Sequence, residues 1–127
     1  MDDKDRIIRE IARRDPRYRA EAYEFVFEAL DETLRQRGGG ARHVTGPEIM
    51  ECARRLATDR FGFLARTVLN AWGVHRTDDF GEIVFNLIEA DLLQKTASDR
   101  REDFADLFDF VEAFDHAFGD AIQTVPI

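Results

Sequence analysis

Residues 61–93 read FGFLARTVLNAWGVHRTDDFGEIVFNLIEADLL, and this stretch decides the fold. Apolar side chains fill it on almost every helical face, interrupted once by the polar turn His75-Arg76-Thr77-Asp78-Asp79. A helix that is apolar nearly all round is a buried helix. The stretch predicts two central helices, over residues 63–72 and from 80 to about 91. Gly73 stops the first, and Thr77, Asp78 and Asp79 compete to cap the second. In the second helix Phe80, Ile83, Val84, Leu87 and Ile88 form the buried face, with Phe85 and Gly81 on its flank. Glu82, Asn86 and Glu89 remain as a narrow exposed stripe. Trp72 reads as a core plug rather than a binding anchor.

On the N-terminal side, Ile7, Ile8 and Ile11 mark one face of a short helix over residues 5–14. Asp15-Pro16 then has the form of an N-cap followed by proline in the first turn, predicting a long helix over 16–37. Its two apolar stripes are Tyr18, Ala22, Phe25, Ala29 and Tyr23, Val26, Phe27, Leu30, Leu34. Gly38-Gly39-Gly40 ends it and opens a Gly-rich loop over 38–44. Thr45-Gly46-Pro47-Glu48 is a capping box: hydroxyl and carboxylate each satisfy a free backbone N–H. The helix it starts runs to about Arg60, burying Ile49, Ala53, Leu56 and Cys52, until Phe61-Gly62 breaks it.

On the C-terminal side two readings stay open. Phe104, Leu107, Phe108, Val111, Phe114 and Phe118 keep near-helical spacing. Phe104, Phe108 and Phe110 also suit a small hairpin with residues 92–96. Residues 94–122 form an acidic segment and 123–127 a loose tail.

The fold class is therefore mainly α: a single compact domain over 1–127, of five or six helices. The N-terminal helices span 1–37 and the central ones 45–93. The alternative topology is winged-helix-like, with a C-terminal β-hairpin. The chain's 127 residues suit one domain, and 44% hydrophobic content with eleven Phe gives a full core without a cofactor. The net charge of −8 is split: residues 1–76 hold 15 basic and 13 acidic side chains, residues 77–127 hold 3 and 13. An acidic back half repels nucleic acid and anionic membranes. The single Cys52 excludes an intrachain disulfide. Residues 1–6, MDDKDR, lack the apolar core of a secretory signal, and no segment has the ~18–20 apolar residues of a membrane span. These features predict a soluble cytoplasmic protein.

Candidate chemistry is sparse. His75, Asp79 and Glu82 carry metal-ligand atoms, but helix capping explains the carboxylates better, and no HExxH, Cys pair or EF-hand loop is present. Arg42 and His43, after the glycine loop, could bind an anion or supply a base, yet no Ser or Cys in a nucleophile context accompanies them. The arginines Arg6, Arg9, Arg13, Arg14, Arg17 and Arg19 are interleaved with carboxylates and read as a paired, solvated face. Asp99, Glu102, Asp103, Asp106, Asp109, Glu112 and Asp115 drift around a helix axis and suit a basic partner better than a single cation.

Tyr18, Glu21-Ala22-Tyr23-Glu24-Phe25, Arg42-His43-Val44-Thr45-Gly46, Phe61-Gly62, Thr67-Val68-Leu69, Trp72-Gly73, Asp79-Phe80-Gly81-Glu82-Ile83-Val84-Phe85-Asn86-Leu87 and Asp103-Phe104 together carry a resemblance. The chain resembles, over nearly its whole length, a family of small uncharacterised proteins (a domain of unknown function) of planctomycetes and verrucomicrobia. The resemblance implies no activity, only that the chain is complete.

The function expected from these features is a non-enzymatic protein-interaction or regulatory module. Its candidate surface residues are Arg42, His43, His75, Asp78, Glu82, Asn86 and Glu89. No catalytic residue, metal or cofactor is assigned, and the partner is another protein. The alternative is a winged-helix-like nucleic-acid binder whose recognition helix would carry Glu82, Asn86 and Glu89. A small enzyme using His43 or His75 is third.

Overall fold

The computed structural model describes residues 2–36, 44–93 and 100–116. Among these the chain is mainly helical: α1 (Asp3–Arg14), α2 (Ala20–Gln36), α3 (Gly46–Phe61), α4 (Ala65–Ala71) and α5 (Thr77–Glu89). Two 3₁₀ turns, Gly62–Leu64 and Arg101–Phe104, and a π turn, Val111–His116, complete it. The mainly α fold class is thus found. No strand occurs among the described residues, so neither hairpin nor wing is seen there. Residues 94–96 of the expected hairpin, the Gly38-Gly39-Gly40 loop, Phe118 and the tail over 123–127 lie outside the described residues.

Helix α2 lies across α3 and α5. Ala22 and Ala29 on α2 and Ala53 and Ala57 on α3 are all buried, and such small side chains let two helix backbones approach closely. This close seam turns α3 slightly from the expected face. Met50, Cys52, Ala53 and Ala57 are buried, while Ile49 and Leu56 are half-buried. The Thr45 capping box forms as expected. Thr45 Oγ1 accepts from Glu48 N at 3.2 Å, and the Glu48 carboxylate accepts from Thr45 N at 3.1 Å. Gly62, at φ 56°, ends α3 where the sequence places the break.

The start of α2 differs from expectation. Asp15-Pro16 does not open it; Asp15 closes α1, its N–H donating to the Ile11 carbonyl at 2.8 Å. Residues 16–19 form a turn, and α2 begins at Ala20. The reason is tertiary. Arg19 N–H donates to the Trp72 carbonyl (3.0 Å), and the buried Tyr18 donates its hydroxyl to Asp79 Oδ1 (2.8 Å). Residues 18–19 thus spend polar groups on the turn after α4 rather than on a first helical turn.

That turn depends on Gly73. Gly73 N–H donates to the Asn70 carbonyl (3.0 Å) and Val74 N–H to the Leu69 carbonyl (2.9 Å), a Schellman closure with Gly73 at φ 93°. A Cβ there would stand 1.8 Å from the Arg17 carbonyl oxygen. Helix α5 closes the same way: Asp91 N–H donates to Ile88 and Leu92 N–H to Leu87, with Asp91 in the left-handed region at φ 60°.

Two ring clusters meet at Phe80. Phe25, Phe61 and Trp72 meet at tilted and edge-on angles on one side, with Phe25 6.2 Å from Phe80 between centroids. Phe110, Phe108 and Phe114 gather on the other, with Phe110 at 6.4 Å. Phe104 lies over Gly81, where an added Cβ would come within 3.0 Å of it. These rings pin the C-terminal segment to α5. They also explain why it is not the continuous helix that the apolar spacing suggests. Phe104 and Phe114 are buried, but Leu107 and Val111 of the same stripe are exposed, and Phe110, off the stripe, is buried. Between the two short turns, Asp106 N–H donates to Asp78 Oδ1 and Leu107 N–H to Thr77 Oγ1, both at 3.0 Å. Side chains of α5 thus take the backbone groups that a helix would have bonded internally.

Candidate functional site

The polar side chains of α5 fall into two groups. At its N-terminus Thr77, Asp78 and Asp79 do not compete for one cap; each has a separate task. Thr77 and Asp78 hold residues 106–107 as described. The Asp79 carboxylate accepts from His75 N–H (2.8 Å), Arg76 N–H (3.2 Å) and the Tyr18 hydroxyl (2.8 Å). Burial pushes the Tyr18 phenol above its usual range, and the hydrogen bond to the Asp79 side chain raises it further.

Along the helix, the expected exposed stripe is largely occupied. Asn86 is half-buried and its Nδ2 donates to Asp15 Oδ2 (2.9 Å) and to the Tyr23 hydroxyl (3.0 Å). Glu82 is half-buried between Arg17 (3.7 Å) and Arg101 (3.9 Å). Glu89 is exposed, 3.9 Å from Arg101, whose guanidinium lies over the Phe85 ring. The sequence pattern gives the helix face but not the turn at 15–19 that packs Asp15 and Arg17 against it. The Arg17 guanidinium holds the Asp15 carboxyl well below its usual range, and Asn86 adds to this. Burial raises the Tyr23 phenol. Tyr18 and Tyr23 lie on the apolar stripes of the sequence pattern, which does not reveal their hydroxyl bonds to Asp79 and Asn86. Buried tyrosines opposite carboxylate- or amide-bearing positions were the available signal.

His75 is exposed, its Nδ1 3.2 Å from Asn70 Oδ1. With Arg76, Asp78, Asp106, Phe108, Asp109 and Phe110 it lines an open cleft of ≈ 410 Å³. A second cleft of ≈ 320 Å³, lined by Ile11, Arg14, Asp15, Asn86, Glu89 and Ala90, lies between α1 and the end of α5. Arg42 and His43 lie outside the described residues, so His75 and the α5 residues are the candidates placed here. His75, Asp79 and Glu82 do not converge: no group of three or more His, Cys, Asp or Glu among the described residues could hold a metal ion. Cys52 is buried in α3.

The arginine-rich N-terminus is paired within itself. Arg6 meets Asp3, Arg13 and Arg14 share Glu10, Arg17 meets Asp15, and Arg19 approaches Glu21. Arg13 and Arg14 draw the exposed Glu10 carboxyl down to about 2.

A feature that periodicity did not predict lies at the other end of the C-terminal segment. The turn Gly62–Leu64 packs beside the π turn Val111–His116. Phe63 (65% exposed), Leu64 (53%) and Val111 (39%) turn outward there. Arg66 and Asp115 form an ion pair at 2.6 Å beside them. Three large apolar side chains on two adjoining turns thus stand partly exposed. Helical spacing does not reveal this face, because both turns depart from the α-helix. No described helix is long and apolar enough to cross a membrane. Comparison of the chain with protein-family models, with curated proteins and with solved structures finds no match.

Proposed function

We propose that the protein is a non-enzymatic protein-interaction or regulatory module. The observation that carries this is the outward-facing Phe63, Leu64 and Val111 on two adjoining turns. Completing the burial of these partly exposed side chains against a partner contributes about 0.5–2 kcal/mol each. The polar residues of α5 act as internal ties. Asp79, Glu82 and Asn86 engage Tyr18, Arg17, Arg101, Asp15 and Tyr23.

The nucleic-acid alternative asks α5 to enter a groove. Phe80, Gly81, Ile83, Val84, Phe85 and Leu87 of that helix are buried, and its polar edge is acidic. Affinity capture of the tagged protein from native lysate, with mass spectrometry, tests the module. A stoichiometric partner is expected with the natural sequence. Recovery of no stoichiometric partner would sink the proposal.

A further inference from the structure

We propose that residues 100–116 form a strap that opens as one unit from the five helices and uncovers a phenylalanine slot between α3 and α5. This goes beyond the interaction-module reading and does not depend on it. Among the described residues, no backbone-to-backbone hydrogen bond joins the strap to the helices. The bonds from Asp103, Ala105 and Ala113 end on Arg100, Glu102 and Asp109, inside the strap. Its two amide ties to α5, from Asp106 and Leu107, end on the side-chain oxygens of Asp78 and Thr77. The turn at residues 18–19, by contrast, is fastened backbone to backbone through Arg19 and Trp72.

The helices keep their own framework without the strap. Helix α2 packs on α1, α3 and α5, and α3 packs on α4 and α5. Departure of the strap breaks none of these contacts and no bond within a helix. What holds the strap closed is a set of rings. Phe104 is buried in a slot walled by two glycines. A Cβ on Gly46, at the start of α3, would stand 3.2 Å from the Phe104 ring, and one on Gly81 would stand 3.0 Å from its Cβ. Phe110 meets Phe80, and the buried Phe114 lies in the same turn as Asp115, which pairs with Arg66. Conformational entropy opposes this closure at every residue of the segment. The Asp106 and Leu107 amides lie between the two ring anchors, so they are released when the segment leaves. Opening exposes Phe80, Gly81 and Thr77, which the closed strap buries.

Native-state hydrogen exchange of the full chain tests this, read amide by amide by NMR at several urea concentrations below the unfolding transition. The Leu107 and Ala113 amides are expected to share one opening equilibrium. It should be at least about tenfold more populated than that of the slowest amides in α2 and α5. It should also rise with urea, because a segment that leaves exposes its rings. Ile8→Val separates strap opening from whole-chain unfolding. Ile8 is buried in α1, which packs on α2, so trimming it weakens the helices equally with the strap open or closed. The slowest α2 and α5 amides should then exchange about two- to tenfold faster, with the Leu107 and Ala113 amides unchanged. Phe104→Leu should speed Leu107 and Ala113 about fivefold or more, with far-UV circular dichroism retained. Strap amides as slow as the α2 and α5 amides in the natural sequence overturn the proposal. So do strap amides that accelerate in step with the helices in Ile8→Val, that exchange independently of urea, or that ignore Phe104→Leu.

Discussion

Gly73→Ala should be among the most damaging small substitutions in this protein. Gly73 stands at φ 93°, where an L side chain costs about 1–2 kcal/mol. The larger effect is contact. The new Cβ would lie 1.8 Å from the Arg17 carbonyl oxygen and 3.0 Å from its carbon, and both are backbone atoms. A rotamer change cannot relieve this; residues 17–19 must move away from the 72–74 turn. That movement stretches the Arg19 to Trp72 bond (3.0 Å) and the Tyr18 to Asp79 bond (2.8 Å), each worth about 1 kcal/mol or more. The expected loss is at least about 3 kcal/mol, a large part of the 5–15 kcal/mol typical of a domain. Urea denaturation followed at 222 nm measures it. With a slope of about 1.5 kcal/mol/M, the midpoint should fall by about 2 M. Gly62→Ala is the control. Gly62 also has positive φ (56°), but its Cβ would meet nothing within 4 Å, so only backbone strain of about 1–2 kcal/mol is expected. If Gly73→Ala costs no more than Gly62→Ala, the account of close approach is wrong.

Four further outcomes follow from the same contacts. Asn86→Ala should cost about 2 kcal/mol in the same denaturation assay, because it strips the Tyr23 hydroxyl and Asp15 of a shared donor; a loss below 0.5 kcal/mol would contradict the seam. Both tyrosines are buried with raised phenol values, so absorbance at 295 nm should show no tyrosinate in the folded protein near pH 10. Their stabilising contribution is full below the unfolded value of about 10 and is lost as pH climbs above it, so ionisation should coincide with alkaline unfolding. Asp15 has a lowered folded value, so its contribution is present above about pH 4 and lost as pH falls below that. Asp15→Asn should flatten the stability-against-pH curve on the acid side, and an unchanged slope would refute the Arg17 and Asn86 pairing. Asp91→Gly should stabilise by about 0.5–1 kcal/mol, since Asp91 occupies the left-handed closing position of α5; a thermal scan showing a lower midpoint would argue otherwise.

Some elements were legible because their cause is local. Thr45 and Glu48 form the capping box that their spacing announces, and the buried Phe80, Ile83, Val84 and Leu87 fall on the face that periodicity gives. Gly62 and Gly73 stop helices where the sequence puts the breaks. Other elements were not legible because their cause is distant in sequence. Asp15-Pro16 has every local mark of a helix start, yet bonds from residues 18–19 to Trp72 and Asp79 make it a turn. Glu82 and Asn86 have the spacing of a solvated stripe, yet the turn at 15–19 folds onto them. The outward apolar face escaped for a related reason: Leu107 and Val111 keep core-like spacing in a segment that is not an α-helix.

By itself the sequence determined a mainly helical chain organised around residues 61–93. Helix periodicity, capping and glycine stops are interactions between residues a few positions apart, and they are written into neighbouring letters. Only the tertiary structure decided what the polar residues of α5 do and how residues 100–116 run. Those outcomes depend on donors and acceptors 28 to 71 positions away, such as Asp106 to Asp78 and Asn86 to Asp15. A backbone N–H that finds a buried side-chain oxygen no longer needs a helix to satisfy it. The apolar block at residues 61–93 therefore also anchors the segment that carries Val111.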